Sequence, residues 1–128
     1  MRKHHYEPGT PPALHSKVSV DENVIGMGKV ELLRLVGDLG SISAAAKEMG
    51  LAYRRAWFLL ETLQLCFEEP LFTSARGGSK QGGTSLTPLG EVLLEKHATH
   101  LAALDVAAVP FLDWVESQKR VSLVDEDS

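Results

Sequence analysis

The sequence has little cysteine and no long uninterrupted apolar run. Its single cysteine, Cys66, excludes a disulfide within the chain and a cysteine-based zinc site, and it is typical of a reducing compartment. No apolar run approaches the roughly 18–20 residues that span a bilayer, and no apolar segment of a signal peptide follows the basic N-terminus. These absences predict a cytoplasmic protein without membrane contact.

Basic charge is also in short supply. The chain has 13 Lys and Arg against 17 Asp and Glu, for a net charge of −4. A negative total disfavours nucleic acid as a partner, but the charges are unevenly distributed. Residues 54–90 carry four basic and three acidic side chains, residues 1–17 carry three and one, and the other segments are acidic. We therefore expect a modest basic face on an acidic body.

The length of 128 residues is enough for one domain with a single core. Three prolines and a glycine within residues 1–13 predict a mobile tail. Residues 14–109 carry the periodic apolar patterns of a folded domain. Pro110 is expected to interrupt a long helix, so residues 110–128 are predicted to form a short terminal helix and an acidic tail.

The first half of that domain shows a strand period and then a helical one. Alternation of apolar and polar residues over 14–20 predicts a short strand, and Val24–Ile25 can add a second piece. Helical spacing predicts a helix that ends at Gly40, a second over Ser41–Gly50 and a third over about Tyr53–Phe67. A small β unit followed by three helices is therefore expected.

The second half begins with a glycine-rich segment. Residues 76–83 lie between two short apolar stretches and predict a β-hairpin. Thr87 and Pro88 match the N-cap and first position of a helix, so a long helix follows. Its stripe has a spacing typical of helix pairing: Leu94, His97, Leu101, Leu104 and Ala108.

Together these elements predict a mainly α protein with a small β-hairpin, a winged helix-turn-helix with a long C-terminal dimerisation helix. In the helix-turn-helix, a small residue in the first helix and a glycine in the turn allow the helices to cross closely, and Ala46 and Gly50 meet this need. Residues expected to be buried in this motif are Ala45, Met49, Leu51, Ala56 and Leu59. An ordinary pair of antiparallel helices in an all-helical core is the alternative.

The third helix would be the recognition helix. Its predicted apolar stripe is Tyr53, Ala56, Leu60, Leu63 and Phe67. A step of about 100° per residue places Arg54, Arg55, Phe58 and Thr62 on the opposite face. The two arginines can pair with guanine, for ~1–3 kcal/mol of discrimination, or bind phosphate without reading sequence. Two solvated arginines on an exposed face are the alternative.

Further candidate DNA contacts flank this face. Tyr53 can offer its hydroxyl to a phosphate or pack against the domain, and Ser43 on the preceding helix joins the set. Arg76 and Lys80 give the glycine-rich loop two positive charges, which suit a wing that lies along a phosphate backbone or enters a minor groove. A plain flexible hairpin tip is the alternative. A nucleotide-binding loop is not predicted, since Gly83 stands where its lysine would be.

No set of residues indicates an enzyme or a metal centre. His97 and His100 lie three apart on a helix without a clear third ligand, so a packing or surface role is predicted. Cys66 has no evident activating neighbour and is predicted to act as a small apolar residue. A nucleophile with its base, or a catalytic carboxylate pair, is not evident.

The segment Gly40–Trp57 resembles the N-terminal domain of ModE-type molybdate-dependent transcriptional regulators, and its helix-turn-helix also resembles that of LysR-type regulators. The similarity covers about residues 14–108 and is also carried by Glu69–Phe72, Gly77–Gly78, Gly82–Gly83 and Leu86–Glu91. The resemblance implies a homodimeric, sequence-specific DNA-binding regulator of molybdate-uptake and molybdenum-enzyme genes. It implies DNA contacts at Arg54, Arg55 and around Lys80, and dimerisation through the long helix, with the N-terminal strand as a possible contributor.

The sequence departs from the family pattern in two places. Full-length members bind molybdate in separate C-terminal β-barrel domains, which this chain, ending at Ser128, is expected to lack; no cofactor is therefore expected in it. Residues 79–81 stand in the wing where the family is richer in glycine. An alternative function, favoured by the acidic C-terminal segment and the pairing helix, is a protein–protein interaction module on the same fold without direct DNA binding.

Overall fold

The computed structural model describes residues 9–74 and 83–120. The elements are β1 (Lys17–Val20), β2 (Asn23–Gly26), α1 (Met27–Leu39), α2 (Ile42–Glu48), α3 (Tyr53–Gln64), β3 (Phe72–Ser74), β4 (Thr84–Leu86) and α4 (Pro88–Gln118). This order confirms the predicted winged helix-turn-helix with a long C-terminal helix. The chain forms two compact units, residues 16–101 and residues 1–15 with 102–128, of which the structure describes 9–15 and 102–120.

The strand piece predicted at Val24–Ile25 is a full strand. β1 and β2 pair antiparallel, with Val18 opposite Ile25. Asp21 has a φ of +55° at the turn, a conformation that aspartate tolerates better than most residues. The hairpin leads directly into α1, which starts at Met27 and ends at the predicted Gly40.

The core of unit 16–101 lies between α1, α2 and α3. Its buried side chains are Leu32, Leu33, Val36, Ile42, Ala45, Ala46, Ala56, Leu60, Leu63 and Leu71. Two of the predicted core positions, Ala45 and Ala56, are fully buried, and Met49, Leu51 and Leu59 pack half-buried against the same cluster. The helical spacing of the motif therefore predicted its packed face correctly.

The turn between α2 and α3 needs its glycine. Gly50 has a φ of +69°, where a side chain would be strained. The Leu51 N–H donates to the Ala46 carbonyl at 2.8 Å and the Gly50 N–H to the Lys47 carbonyl at 3.1 Å. This pair of bonds caps the end of α2 and directs the chain into α3. At the other end of α2, the Ser41 hydroxyl accepts from the Ala44 N–H, as a helix cap does.

The hairpin of β3 and β4 forms the base of the wing. The strands pair antiparallel, with Phe72 opposite Leu86. The Thr84 N–H donates to the Gly40 carbonyl at 2.9 Å, which fastens β4 to the corner between α1 and α2. The wing tip between residues 74 and 83 lies outside the described residues.

The first turn of α4 is fixed to the loop before the wing. The Thr87 hydroxyl accepts from the Gly90 N–H, as predicted for an N-cap, and donates to the Pro70 carbonyl at 2.7 Å. Gly90 sits so close to this loop that an added Cβ would lie 2.2 Å from the Leu71 carbonyl oxygen. Only glycine fits there without displacing backbone.

Two predicted helix boundaries are wrong. α4 continues through Pro110 to Gln118, so Phe111 does not start a separate terminal helix. A proline removes one backbone donor but has a φ compatible with the helix, and here α4 continues past that lost hydrogen bond. α3 ends at Gln64 rather than Phe67, because the chain tightens there through a bond from the Cys66 N–H to the Leu63 carbonyl.

No uninterrupted apolar run spans a bilayer, but one helix passes a looser test of length and composition. α4 contains a window long and apolar enough to cross a membrane, and that window is exposed in the structure. Alanines and valines make up much of it, interrupted by Asp105. The same properties describe a helix that pairs with another helix, so this finding alone is weak evidence for a membrane span.

Candidate nucleic-acid interface

The N-terminal end of α3 presents the predicted basic face to solvent. Tyr53, Arg54, Arg55 and Phe58 are exposed, and Ala56 on the opposite side is fully buried. Ala52 supplies no side-chain cap, so the first backbone N–H groups of α3 are left for an outside acceptor such as a phosphate. The helix dipole adds positive potential at the end where the arginines lie.

The two arginines are free to bind an anion. Neither makes an ion pair with a residue in the described part of the chain. The Arg55 guanidinium lies 5.5 Å from the centroid of the Phe58 ring, a cation–π contact that orients it without neutralising its charge. Arg34, in contrast, is paired with both Glu31 and Asp38 on α1.

An open pocket of about 250 Å³ brings Ser43 and Tyr53 together beside this face. Its other polar side chains come from the α2 cap and the two wing strands: Ser41, Ser74 and Thr84. The hydroxyls of Ser74 and Thr84 lie 3.3 Å apart. Sequence analysis missed both residues, although hydroxyl side chains at the base of a basic loop could have indicated them.

Tyr53 differs from the role that the apolar stripe gives it. Tyr53 is 52% exposed, because it lies in the first turn of α3, so the prediction that it belongs to the apolar stripe is wrong. Its ring contacts Trp57 edge-on, with centroids 6.3 Å apart, and Trp57 in turn contacts Phe72. Trp57 packs half-buried against the core.

Thr62 stands apart from this group. Thr62 is half-buried, and its hydroxyl donates to the Leu59 carbonyl of its own helix at 2.9 Å. Its hydroxyl hydrogen is therefore already used within the helix. Arg76 and Lys80 lie outside the described residues.

Gln64 connects the recognition helix to the wing, and sequence analysis missed it. Its amide nitrogen donates to the Glu69 carbonyl and its amide oxygen accepts from the Leu71 N–H, both at 2.8 Å. These two bonds hold the loop between α3 and β3 in one shape. Bonds from one side chain to a loop five to seven residues away leave no periodic pattern in a sequence.

The residues considered for metal or redox chemistry have other roles. Within the described residues there is no group of three or more potential ligands from His, Cys, Asp and Glu that could hold a metal ion. The His100 Nε2 lies 3.1 Å from the Ser16 hydroxyl, and burial together with nearby His100 lowers the pKa of His97. Burial raises the pKa of the Cys66 thiol, which disfavours the reactive thiolate.

The fold and this surface define the class of winged helix-turn-helix proteins. Among solved structures, a LysR-family transcriptional regulator matches 68% of this chain and 30% of its own, with a TM-score of 0.52 and 22% sequence identity. At this identity the likeness shows the fold. No family model matches the chain.

Known proteins confirm the resemblance to ModE-type regulators. The chain is 34% identical over 104 residues to the transcriptional regulator ModE of Haemophilus influenzae, which is 74% of this chain and 40% of that protein. It is 44% identical over 70 residues to the molybdenum-pterin-binding protein MopB of Rhodobacter capsulatus. It is 34% identical over 67 residues to the DNA-binding transcriptional dual regulator ModE of Escherichia coli. Each of these two matches covers just over half of this chain and 26% of the relative. The chain thus spans only a quarter to two-fifths of the length of these relatives.

Proposed function

We propose that the chain is a transcriptional regulator that binds specific double-stranded DNA sequences in the cytoplasm as a homodimer and acts on molybdenum-related genes. The observation that carries the proposal is the unpaired arginine pair at the exposed N-terminal end of α3. In helix-turn-helix proteins this end of the recognition helix enters the major groove. Support for the molybdenum role comes from the names of the relatives, several of which are ModE regulators.

Other groups suit the DNA backbone. The hydroxyls of Ser43 and Tyr53 line one pocket beside the arginines, where they could donate to a phosphate. In the sequence, Arg76 and Lys80 add two positive charges between β3 and β4. In this proposal the arginines read or clamp the site and the hydroxyls fix the position of the helix on the duplex.

Homodimerisation is supported by the outer part of α4. In residues 102–118, Val106 is 75% exposed, Phe111 65% and Trp114 58%. Large exposed apolar side chains concentrated on one helix are typical of an interface. Two-fold symmetry would place two recognition helices in major grooves ~34 Å, or a multiple of it, apart.

DNA binding is tested by gel-shift titration with duplexes from the gene's own upstream region. The double variant Arg54→Ala with Arg55→Ala should lose the specific complex, since each bidentate contact contributes ~1–3 kcal/mol. Lys96→Ala on α4 removes an equally exposed charge and serves as the control. Binding of the double variant at wild-type strength would overturn the assignment. If wild-type protein binds no duplex even at low salt, the interaction-module alternative replaces the proposal.

Dimerisation is tested by sedimentation equilibrium. The wild-type chain should behave as a species of about twice 13.9 kDa at micromolar concentration, and Phe111→Asp should shift it towards the monomer. A wild-type monomer would overturn the homodimer while leaving DNA binding to be judged separately.

The proposal assigns no cofactor and no catalytic role to this chain. DNA affinity should therefore be the same with and without added molybdate in the gel-shift titration. An affinity change that saturates with molybdate would contradict this part of the proposal, and it would place a sensing site within the chain.

A further inference from the structure

We propose that a groove beside the recognition helix docks a basic amphipathic segment of a partner protein. The groove is an open cavity of about 620 Å³ between the second half of α3 and the start of β3. It has an apolar floor and an acidic rim. It shares only Trp57 with the pocket that contains Ser43, and neither Arg54 nor Arg55 lines it.

The floor offers aromatic and aliphatic surface for an apolar anchor. Trp57 and Phe72 form one wall, with ring centroids 6.2 Å apart in an edge-to-face arrangement. Leu65 lies on the other side and is 69% exposed, more than any other large apolar side chain described in unit 16–101. The two hydrogen bonds of Gln64 hold the connecting loop, so the groove is formed before a partner arrives.

The rim is negatively charged. Glu61 and Glu68 line the groove, and Glu69 follows directly in sequence. No lysine or arginine lines it, and none of the three carboxylates makes an ion pair in the described part of the chain. An occupant therefore needs positive charges around its apolar anchor.

This chemistry selects among possible occupants. Carboxylates repel the phosphates of nucleic acid and of anionic lipid surfaces. Residues 91–120, the exposed helical part of a second copy, carry three basic and five acidic side chains, so they do not complement the rim. A segment with one apolar face and flanking Lys or Arg satisfies both floor and rim.

The groove extends past the C-terminal end of α3, whereas the arginine pair lies in its first turn. At about 100° per residue, Arg54 lies on the same side of α3 as Glu61 and Leu65 but about two to three turns away, and Arg55 lies more than a quarter turn around the helix from the groove's centre. A partner could then meet the regulator on its site. Only the meeting of the partner with the DNA-bound regulator rests on the proposed function; docking of the basic segment in the groove does not.

The test is titration of the isotope-labelled full chain, observed by amide NMR, with a synthetic helical peptide of about four turns. The peptide carries leucines on one face and lysines beside them, and a peptide with glutamate for each lysine is its control. Shifts should concentrate at residues 57–72 with the basic peptide only. Equal shifts with the acidic peptide, or shifts elsewhere only, would overturn the proposal.

Variants then test the floor and the rim separately. Leu65→Ser should weaken the basic peptide about tenfold, and Glu61→Gln with Glu68→Gln about fivefold. Glu48→Gln on α2 removes an exposed carboxylate elsewhere and should not change the affinity for the basic peptide.

If deleting residues 1–8 shifts the same groove amides, the occupant is this chain's own basic tail and the partner proposal is wrong. DNA affinity of Leu65→Ser should equal wild type, so failure of docking and failure of DNA binding are distinguished.

Discussion

Helix α3 and the outer part of α4, residues 102–118, differ in how far their large apolar side chains are exposed. In α3, Leu60 and Leu63 are completely buried under the motif, and Arg54 and Arg55 in its first turn are exposed. In residues 102–118, Val106 and Trp114 are more than half exposed. The predicted stripe of α4 is half-buried at Leu101, Leu104 and Ala108, and at about 100° per residue Val106 and Trp114 lie on the other side of the helix. In both helices the predicted apolar stripe therefore marks the less exposed side, and the stripe of α4 did not predict the exposed apolar side chains on its other side.

The largest loss of stability is expected in the first turn of α4, which packs against the loop before the wing. Gly90→Ala places a Cβ against the Leu71 carbonyl oxygen, which is backbone and cannot turn aside, so we expect a loss of about 4 kcal/mol in the free energy of unfolding. Urea denaturation measures it. Gly28→Ala in the first turn of α1 is the control, since its Cβ would meet nothing within 4 Å and it should be neutral or slightly stabilising.

A matched pair of truncations tests the comparison directly. Leu60→Ala should lower the free energy of unfolding by about 3 kcal/mol at every protein concentration, because it leaves a cavity in the core. Trp114→Ala should leave the stability of the monomer unchanged and weaken self-association. Sedimentation and urea denaturation at two concentrations separate the effects. An equal, concentration-independent loss in both variants would remove the distinction between the helices.

The order of the elements and the buried face of α3 could be predicted from the sequence, but several contacts around α3 could not. The spacing of Ala56, Leu60 and Leu63 fixed the buried face, since a helix presents every third or fourth residue to one side. The same helical spacing predicts that Thr62 faces outward, but its hydroxyl donates to the Leu59 carbonyl of its own helix. The course of α4 through Pro110 and the loop contacts of Gln64 depend on the three-dimensional path of the chain, which local patterns do not contain.

Gln64→Ala is expected to have an intermediate effect. Two 2.8 Å hydrogen bonds are lost, at about 0.5–1.5 kcal/mol each, so unfolding should become easier by roughly 1–3 kcal/mol. Gln118→Ala is the matched control at the exposed end of α4, where the amide lies 3.5 Å from the Ser117 hydroxyl. Equal stability of the two variants in urea would show that the loop does not depend on Gln64.

The smallest effect concerns pH. Burial, and then His100, lower the pKa of His97 in the folded chain, so the folded state binds fewer protons than the unfolded state. Stability should be fully present above pH 6.5 and should fall as the pH drops below that value. His97→Gln should flatten this part of the profile of melting temperature against pH. An unchanged slope between pH 7.5 and 5.5 would assign the dependence to other groups.

The bond from the Thr84 N–H to the Gly40 carbonyl has a consequence for loop engineering. With β3 paired to β4 and β4 fastened to the α1–α2 corner, the two ends of the wing are held at fixed points of the scaffold. Extra residues inserted between those ends should lower the free energy of unfolding mainly through the entropy of closing a longer loop, about 0.6 kcal/mol for each doubling of its length. The wing tip is therefore the part of this domain where grafted sequences of different length should be accepted with the least change in the angle of the recognition helix.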